Sequence, residues 1–503
     1  MTLDAFKRAC TLGLSAGLVL TGCAGDSGSG DGTATMTAAS SITATGITAG
    51  SMTGTGTDSD TGIASVSTSG APKLDLGDDD PLPGCGGGGD AKCNLLDLLF
   101  VIDNSGTMGE EQVNLAKNFP LLIQKIGEIK DSKGNLISPD VNIMVTTTDM
   151  GHPACAPFQK PDYAPAKGGP ISNACTDRLE RFISLDGKKN IQSACTNACT
   201  GVAPDGQYIH YKVNGASNVP GDDVAGALAC IGLQGIDGCG YEAQLESMMQ
   251  ALNPSAQWNQ GALPFLRQGA VLAIVVVTDE ADCSVLAPGG YEFFDDANID
   301  DPNYSQYWNT DPKDSKKKVT SAVCWNGGVN CTDANNDGIY ESCTSADKTV
   351  LHPSTSRYIK FLRDVLIVQE KKDVIMLGIL GVPPVTAHNP EPPYEPIAGG
   401  VKDLVYRQWK DGPYPGGDIL PGDTGTAASK QFEFGIGPGC TGEDGVGGFT
   451  GQAIPPVRIK EVCESLNEGD KIRCCIESIC DDDFSDAIQC LSGLLQESFA
   501  PVG

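Results

Sequence analysis

Two acidic turns, far apart in the chain, hold the residues best suited to chemistry. The run Leu95-Leu96-Asp97-Leu98-Leu99-Phe100-Val101-Ile102 is followed by Asp103-Asn104-Ser105-Gly106-Thr107. So apolar a run predicts a strand buried on both faces, the central parallel strand of an α/β sheet. Asp103, Ser105 and Thr107 then fall on a tight turn at its carboxyl end. One carboxylate and two hydroxyls are hard oxygen donors, which suit Mg²⁺, Mn²⁺ or Ca²⁺ rather than zinc. The second turn closes AVLAIVVVTDEADCS at 270–284, another doubly buried strand, which ends in Thr278-Asp279. The plainer alternative is that Asp103 and Asp279 cap the helices that follow them.

Asp-x-Ser-x-Thr at 103–107 together with Thr-Asp at 278–279 resembles the metal-ion-dependent adhesion site of von Willebrand factor type A domains. That resemblance implies a doubly wound, mainly parallel, Rossmann-like α/β sheet. It also implies Mg²⁺ (or Mn²⁺ or Ca²⁺) held by Asp103, Ser105, Thr107 and Asp279, with an open position for a ligand carboxylate. The family draws a further Thr from a Gly-Thr turn that opens a helix. Here the counterpart is Gly238-Cys239-Gly240-Tyr241-Glu242, with Cys239 where that Thr would stand. Sulfur is a poor ligand for a hard cation, so Glu242 or a water compensates, or the site is weakened. Asp149, after VTTT, is either an acceptor behind the metal or a helix cap. The stretches VTTTDM at 145–150, GCGYE at 238–242, TDEADCS at 278–284 and CDDDFSDAI at 480–488 also resemble type A lipoproteins of soil or predatory bacteria.

The elements that must position these turns follow from hydrophobic spacing. Strands are expected at 95–103, 141–147, 270–278 and 374–382. Helices are expected at 110–129, 223–233, 240–252, 357–368, 456–467 and 484–498. Alternating strands and helices predict a parallel sheet. Long irregular insertions at 149–222, 284–350 and 383–440 each follow the carboxyl end of a predicted strand, which places them on the face that carries the metal residues. Loops of that length are usually functional or disordered, and the cysteines favour order.

The chain has 20 Cys among 503 residues. Cys10 leaves with a signal peptide and Cys23 is lipidated, so an even number remains and reads as a disulfide framework. Cys239 and Cys283 both fall on the expected metal face and are candidates for one bond, with Cys230 as the rival partner of Cys239. Asp333, Asn335, Asp337 and Glu341 around Gly338 have the look of a Ca²⁺ loop; a polar turn between Cys331 and Cys343 is the alternative.

At the amino end, Lys7 and Arg8 precede an apolar run and then Leu20-Thr21-Gly22-Cys23, which matches a bacterial lipobox. The expected organisation is a signal peptide over 1–22, a lipid anchor on Cys23 with a Gly/Ser/Thr/Ala-rich stalk to 93, and one domain over 94–500. With 34 Lys+Arg against 64 Asp+Glu, a formal charge of −30 argues against nucleic acid as a partner. No G-x-S-x-G elbow, P-loop or zinc-protease helix is present, so an enzyme is not expected. The leading expectation is an envelope-anchored adhesion protein, tethered to the outer membrane and facing the surface or the periplasm, that recognises an extracellular protein or glycan through its cation. A structural envelope protein with a degenerate site is the alternative, and a hydrolase the least favoured reading.

Overall fold

A computed structural model describes residues 94–499 except 132, 288, 347–349 and 444–447. The expected signal peptide, Cys23 and the stalk lie outside the described residues. Six strands form the central sheet: β1 (Leu95–Ile102), β2 (Asp140–Thr147), β3 (Ile209–Lys212), β4 (Val271–Val277), β5 (Asp373–Leu380) and β6 (Cys474–Ser478). Their order is β6-β5-β4-β1-β2-β3. Every pairing is parallel except that of the edge strand β3 with β2. All of β4, and β1 from Leu96 onward, are buried, as their unbroken apolar sequences require of strands covered on both faces.

The two faces are separated by side-chain parity. Leu96, Leu98, Phe100 and Ile102 of β1 pack under α1 (Gly109–Gly127), α2 (Val224–Gly232) and α5 (Ser485–Phe499). Phe100 meets Phe119 of α1 edge-on, with ring centroids 5.2 Å apart. Leu99 and Val101 face α3 (Gln244–Ala251), the π-helical turns Ser354–Ile359 and Phe361–Gln369, and α4 (Val457–Glu464). Each fully buried Leu, Ile, Val or Phe contributes about 1.5–3 kcal/mol of transfer free energy. The sheet is thus held from both sides, and its carboxyl edge is left for the loops. At the opposite, amino edge, buried Asp97 accepts from Arg267 Nε at 2.8 Å and from Lys372 Nζ at 3.2 Å, tying the start of β1 to the segments that enter β4 and β5.

Two strands escaped the sequence reading. β3, Ile-His-Tyr-Lys, lies inside the 149–222 insertion; it is short and alternates inside and outside, as an edge strand does. β6, Cys-Cys-Ile-Glu-Ser, is fully buried although it carries a glutamate and two disulfide cysteines, a composition with no strand-like apolar run.

Eight disulfides take up all sixteen cysteines of the described residues. Cys239 does not pair with Cys283, nor with Cys230. It pairs with Cys155, at a Cα separation of 5.3 Å, while Cys283 pairs with Cys324 and Cys230 with Cys199. Each of these three bonds has one cysteine in an insertion: Cys155 and Cys199 in 149–222, and Cys324 in 284–350. Trp308 is buried in the 284–350 insertion's own apolar cluster, whereas Trp325 packs with Ile436, Ile454 and Val457 of later segments. Among the described residues no helix is long and apolar enough to cross a membrane.

Candidate metal centre

β1 and β4 are neighbours at the centre of the sheet. The chain runs from β1 to β2 and β3 on one side, then returns to β4 and continues outward on the other. Their carboxyl ends therefore flank the crevice where open α/β sheets bind ligands. Asp103 leaves β1 with its N–H donating to the Val277 carbonyl of β4 at 2.9 Å. Its Oδ1 accepts the Ser105 N–H at 2.8 Å, and its Oδ2 accepts the Thr278 hydroxyl at 2.6 Å. The Ser105 and Thr107 hydroxyls lie 3.1 Å apart, and the Thr107 hydroxyl also bonds the Asp279 carboxylate. The four residues of the proposed site thus meet where the β1 and β4 turns come together. Gln112 of α1 holds that turn from behind: its amide donates to the Asp103 and Gly235 carbonyls, both at 2.8 Å. Gly238 packs so closely on Asn104 that a Cβ would come within 2.4 Å of Asn104 Oδ1, so glycine is required there.

The electrostatics are those of a negative well. Burial, reinforced by the neighbouring Asp279 charge, pushes the Asp103 carboxyl up, and burial likewise raises Asp279 against the opposing Thr107 hydrogen bond. Glu242 and Glu280 are raised well above the usual carboxylate range, first by burial and then by the nearby acids. Glu111, in the first turn of α1, is pushed up to about 8 by burial and by Asp279. Asp279 Oδ1, Glu242 Oε1 and Glu111 Oε2 are buried with no hydrogen-bond partner among the described residues. Buried polar atoms normally find partners, and buried negative charge without a cation is costly. Lys189, from the first insertion, approaches the rim: its Nζ donates to the Thr107 carbonyl at 3.2 Å and lies 3.3 Å from Glu110. The donor set of carboxylates and hydroxyls fits a hard dication better than it fits its own repulsion.

Cys239, at the position expected for Thr, is held away in its bond to Cys155. Three residues on, Glu242 is fully buried and accepts the Thr148 hydroxyl. The Asp103 charge is among the causes that raise its carboxyl, which places Glu242 near the Asp103 turn. Asp149 does not cap a helix; the turn after its strand uses it instead. Its Oδ1 accepts the Gly151 N–H at 2.7 Å as a turn cap, while its Oδ2 accepts the Tyr163 hydroxyl at 2.8 Å. Tyr163 in turn accepts from Asn104 at 3.0 Å, which links Asp149 to the metal turn through a tyrosine. Asp282 is buried. It pairs with Arg458 Nε at 2.9 Å and accepts the Leu245 N–H, which opens α3, at 3.0 Å. Sequence reasoning did not find Glu111 or Lys189. Glu111 carried one signal, an acid in the first turn of the helix after the Asp-x-Ser-x-Thr turn; Lys189 carried none.

In the 333–341 loop, Asp333 accepts the Asp337 and Gly338 N–H groups, Glu341 accepts the Ala334 N–H, and the Asn335 amide donates to Glu341 at 3.4 Å. The Asp337 carboxylate accepts the Ile339 N–H at 2.9 Å. These groups cap a turn between strands stapled by Cys331–Cys343. Among the described residues, Cys175, Cys195 and Cys199 bring ligand atoms within 4.8 Å of one another. Cys175 and Cys195 are bonded to each other and Cys199 to Cys230, so they offer no thiolate to a metal.

The fold and site together define an α/β protein with a mainly parallel sheet and an oxygen-donor cluster at its central crevice. No family model and no curated protein matches the sequence.

Proposed function

We propose that this chain is a von Willebrand factor type A-like binding protein that takes up a divalent cation, Mg²⁺ or its hard relatives Mn²⁺ and Ca²⁺, and uses it to capture an acidic group of an extracellular protein or glycan. Asp103, Ser105 and Thr107 would hold the cation, with Asp279 and Glu242 balancing its charge directly or through water. The observation that carries this reading is the convergence of Asp103, Ser105, Thr107 and Asp279 where the β1 and β4 turns meet, with Asp103, Ser105 and Asp279 buried and Thr107 exposed, beside carboxylate oxygens without partners. The strand order β6-β5-β4-β1-β2-β3 with one antiparallel edge strand supports a doubly wound arrangement of the same kind. The cation supplies a Lewis-acidic site for a carboxylate; the chain's own residues fix its position and dehydrate it. The lipobox at Cys23 supports tethering to the bacterial envelope, with the Gly/Ser/Thr/Ala-rich stretch to 93 as spacer.

The test is isothermal calorimetry of Mg²⁺ and Mn²⁺ with the metal-stripped protein, paired with a structure determined after a Mn²⁺ soak. Stoichiometric binding with anomalous density between Asp103 and Asp279 is the expected result. Absence of binding would leave the alternative that the eight disulfides favour, a structural envelope protein in which the acidic turn is a relic.

A further inference from the structure

Behind the metal turn lies a second, oppositely charged site. A cavity of about 130 Å³ is lined by Asn104, Thr147, Tyr163, Arg178, Arg181 and Gln234 among others, and no carboxylate lines it. Its volume is below the ~300–1,000 Å³ of pockets that take drug-sized ligands, so it suits a small ion. Arg178 is 4% exposed. Its hydrogen bonds run to neutral oxygens: Gln234 Oε1 at 3.1 Å, the Ile231 carbonyl at 2.9 Å and the Asn173 carbonyl at 3.4 Å. Its Nε is buried with no hydrogen-bond partner among the described residues, and the Thr147 hydroxyl is in the same position. Arg181 lies over the Tyr163 ring at 4.8 Å, and its contact with the half-exposed Glu180 is long, at 3.8 Å. A guanidinium stays protonated in proteins. Burial and the Arg181 charge nonetheless push Arg178 down to about 9, against the opposing charges of Asp177 and Glu180. A buried cation such as Arg178 is normally paired, and the Arg fork matches the planar or tetrahedral geometry of an oxyanion.

We propose that this cavity binds a small oxyanion, a carboxylate, sulfate or phosphate group, between the guanidinium groups of Arg178 and Arg181 with the Thr147 hydroxyl as a further partner. The site stands on its own residues and does not depend on cation binding at Asp103.

The test titrates phosphate, sulfate and acetate separately into the purified, metal-stripped full chain in a low-chloride buffer, read by calorimetry and by thermal melting. The expected result is saturable one-site binding of at least one anion, with Tm rising as the logarithm of its concentration above Kd. Arg181→Gln should weaken that binding at least tenfold, with Tm in the absence of anion unchanged or higher because the repulsion on Arg178 is relieved. Should Arg181→Gln fail to fold, Arg181→Lys serves in its place, with the same weakening expected from loss of the fork. Preference for phosphate or sulfate identifies a free inorganic ion as the occupant, and preference for acetate a carboxylate group. Saturation unchanged in the Arg181 variants would overturn the proposal. So would a Tm that climbs without saturating, as excluded salts produce by a general effect on burial.

Discussion

Asp279→Asn removes one charge from a buried acidic cluster and keeps the side-chain shape, so in the metal-free protein it should stabilise the fold. Burial raises the Asp279 carboxyl from 3.8 to about 6. At about 1.4 kcal/mol for each tenfold change in proton affinity, holding the ionised carboxylate in place costs the native state roughly 3 kcal/mol. Asp103, Glu111 and Glu280 are each raised in part by Asp279, so relief of those three adds to the gain. A raised carboxyl binds its proton more tightly in the folded than in the unfolded state. Native stability therefore falls as pH climbs from the unfolded value of 3.8 to the folded value near 6. The benefit of Asn should be absent near pH 3 and complete by about pH 8. For a domain of roughly 400 residues, about 1 kcal/mol moves Tm by roughly 1 °C. Scanning calorimetry on metal-stripped protein should then find the mutant about 3 °C or more above wild type at pH 8, and level with it near pH 3. Mg²⁺ should reverse the order by stabilising wild type far more than the mutant. A metal-free mutant that melts at or below wild type at pH 8 would refute the view that these carboxylates repel one another in the absence of a cation.

Asp103→Ala should abolish calorimetric Mg²⁺ and Mn²⁺ binding while far-ultraviolet circular dichroism stays unchanged, since it leaves the first turn with neutral hydroxyls alone; equal binding by mutant and wild type sinks the assignment. Peptide mapping without reductant should recover Cys155–Cys239 and Cys283–Cys324 and find no alkylated cysteine between residues 94 and 499. Cys155→Ser should lower stability by about 2–4 kcal/mol in chemical denaturation, as expected for opening a long loop, and free alkylation of Cys239 in the wild type would contradict the pairing. Arg458→Met strands buried Asp282 without its cation and should cost about 3–5 kcal/mol; a loss under 1 kcal/mol in the same assay would show that the hydrogen bonds from α3 suffice to hold Asp282.

Much of the architecture was legible because it depends on local, one-dimensional patterns. The unbroken apolar runs of β1, β4 and β5 announce strands covered on both faces, and each such strand must end in a polar turn at the sheet edge. Asp103, Ser105, Thr107 and Asp279 could therefore be placed on one face before any coordinates, and the insertions at 149–222 and 383–440 do reach that face, through Lys189 at Thr107 and the charge of Glu433 on Glu280. Contacts between distant segments were not legible, because nothing in a local pattern encodes a partner tens of residues away. The pairing of Cys239 with Cys155, the burial of Glu111 beside Asp279, and the burial of Asp282 against Arg458 all depend on how distant segments come together over the sheet. β3 and β6 were missed for a related reason: their strand conformation is imposed by pairing with β2 and β5 rather than by their own composition. The chain's pattern decides which residues can offer oxygen donors at the sheet edge. Only the packed structure decides which of their charges are desolvated together, because the cost of that charge depends on three-dimensional distance and exclusion of water.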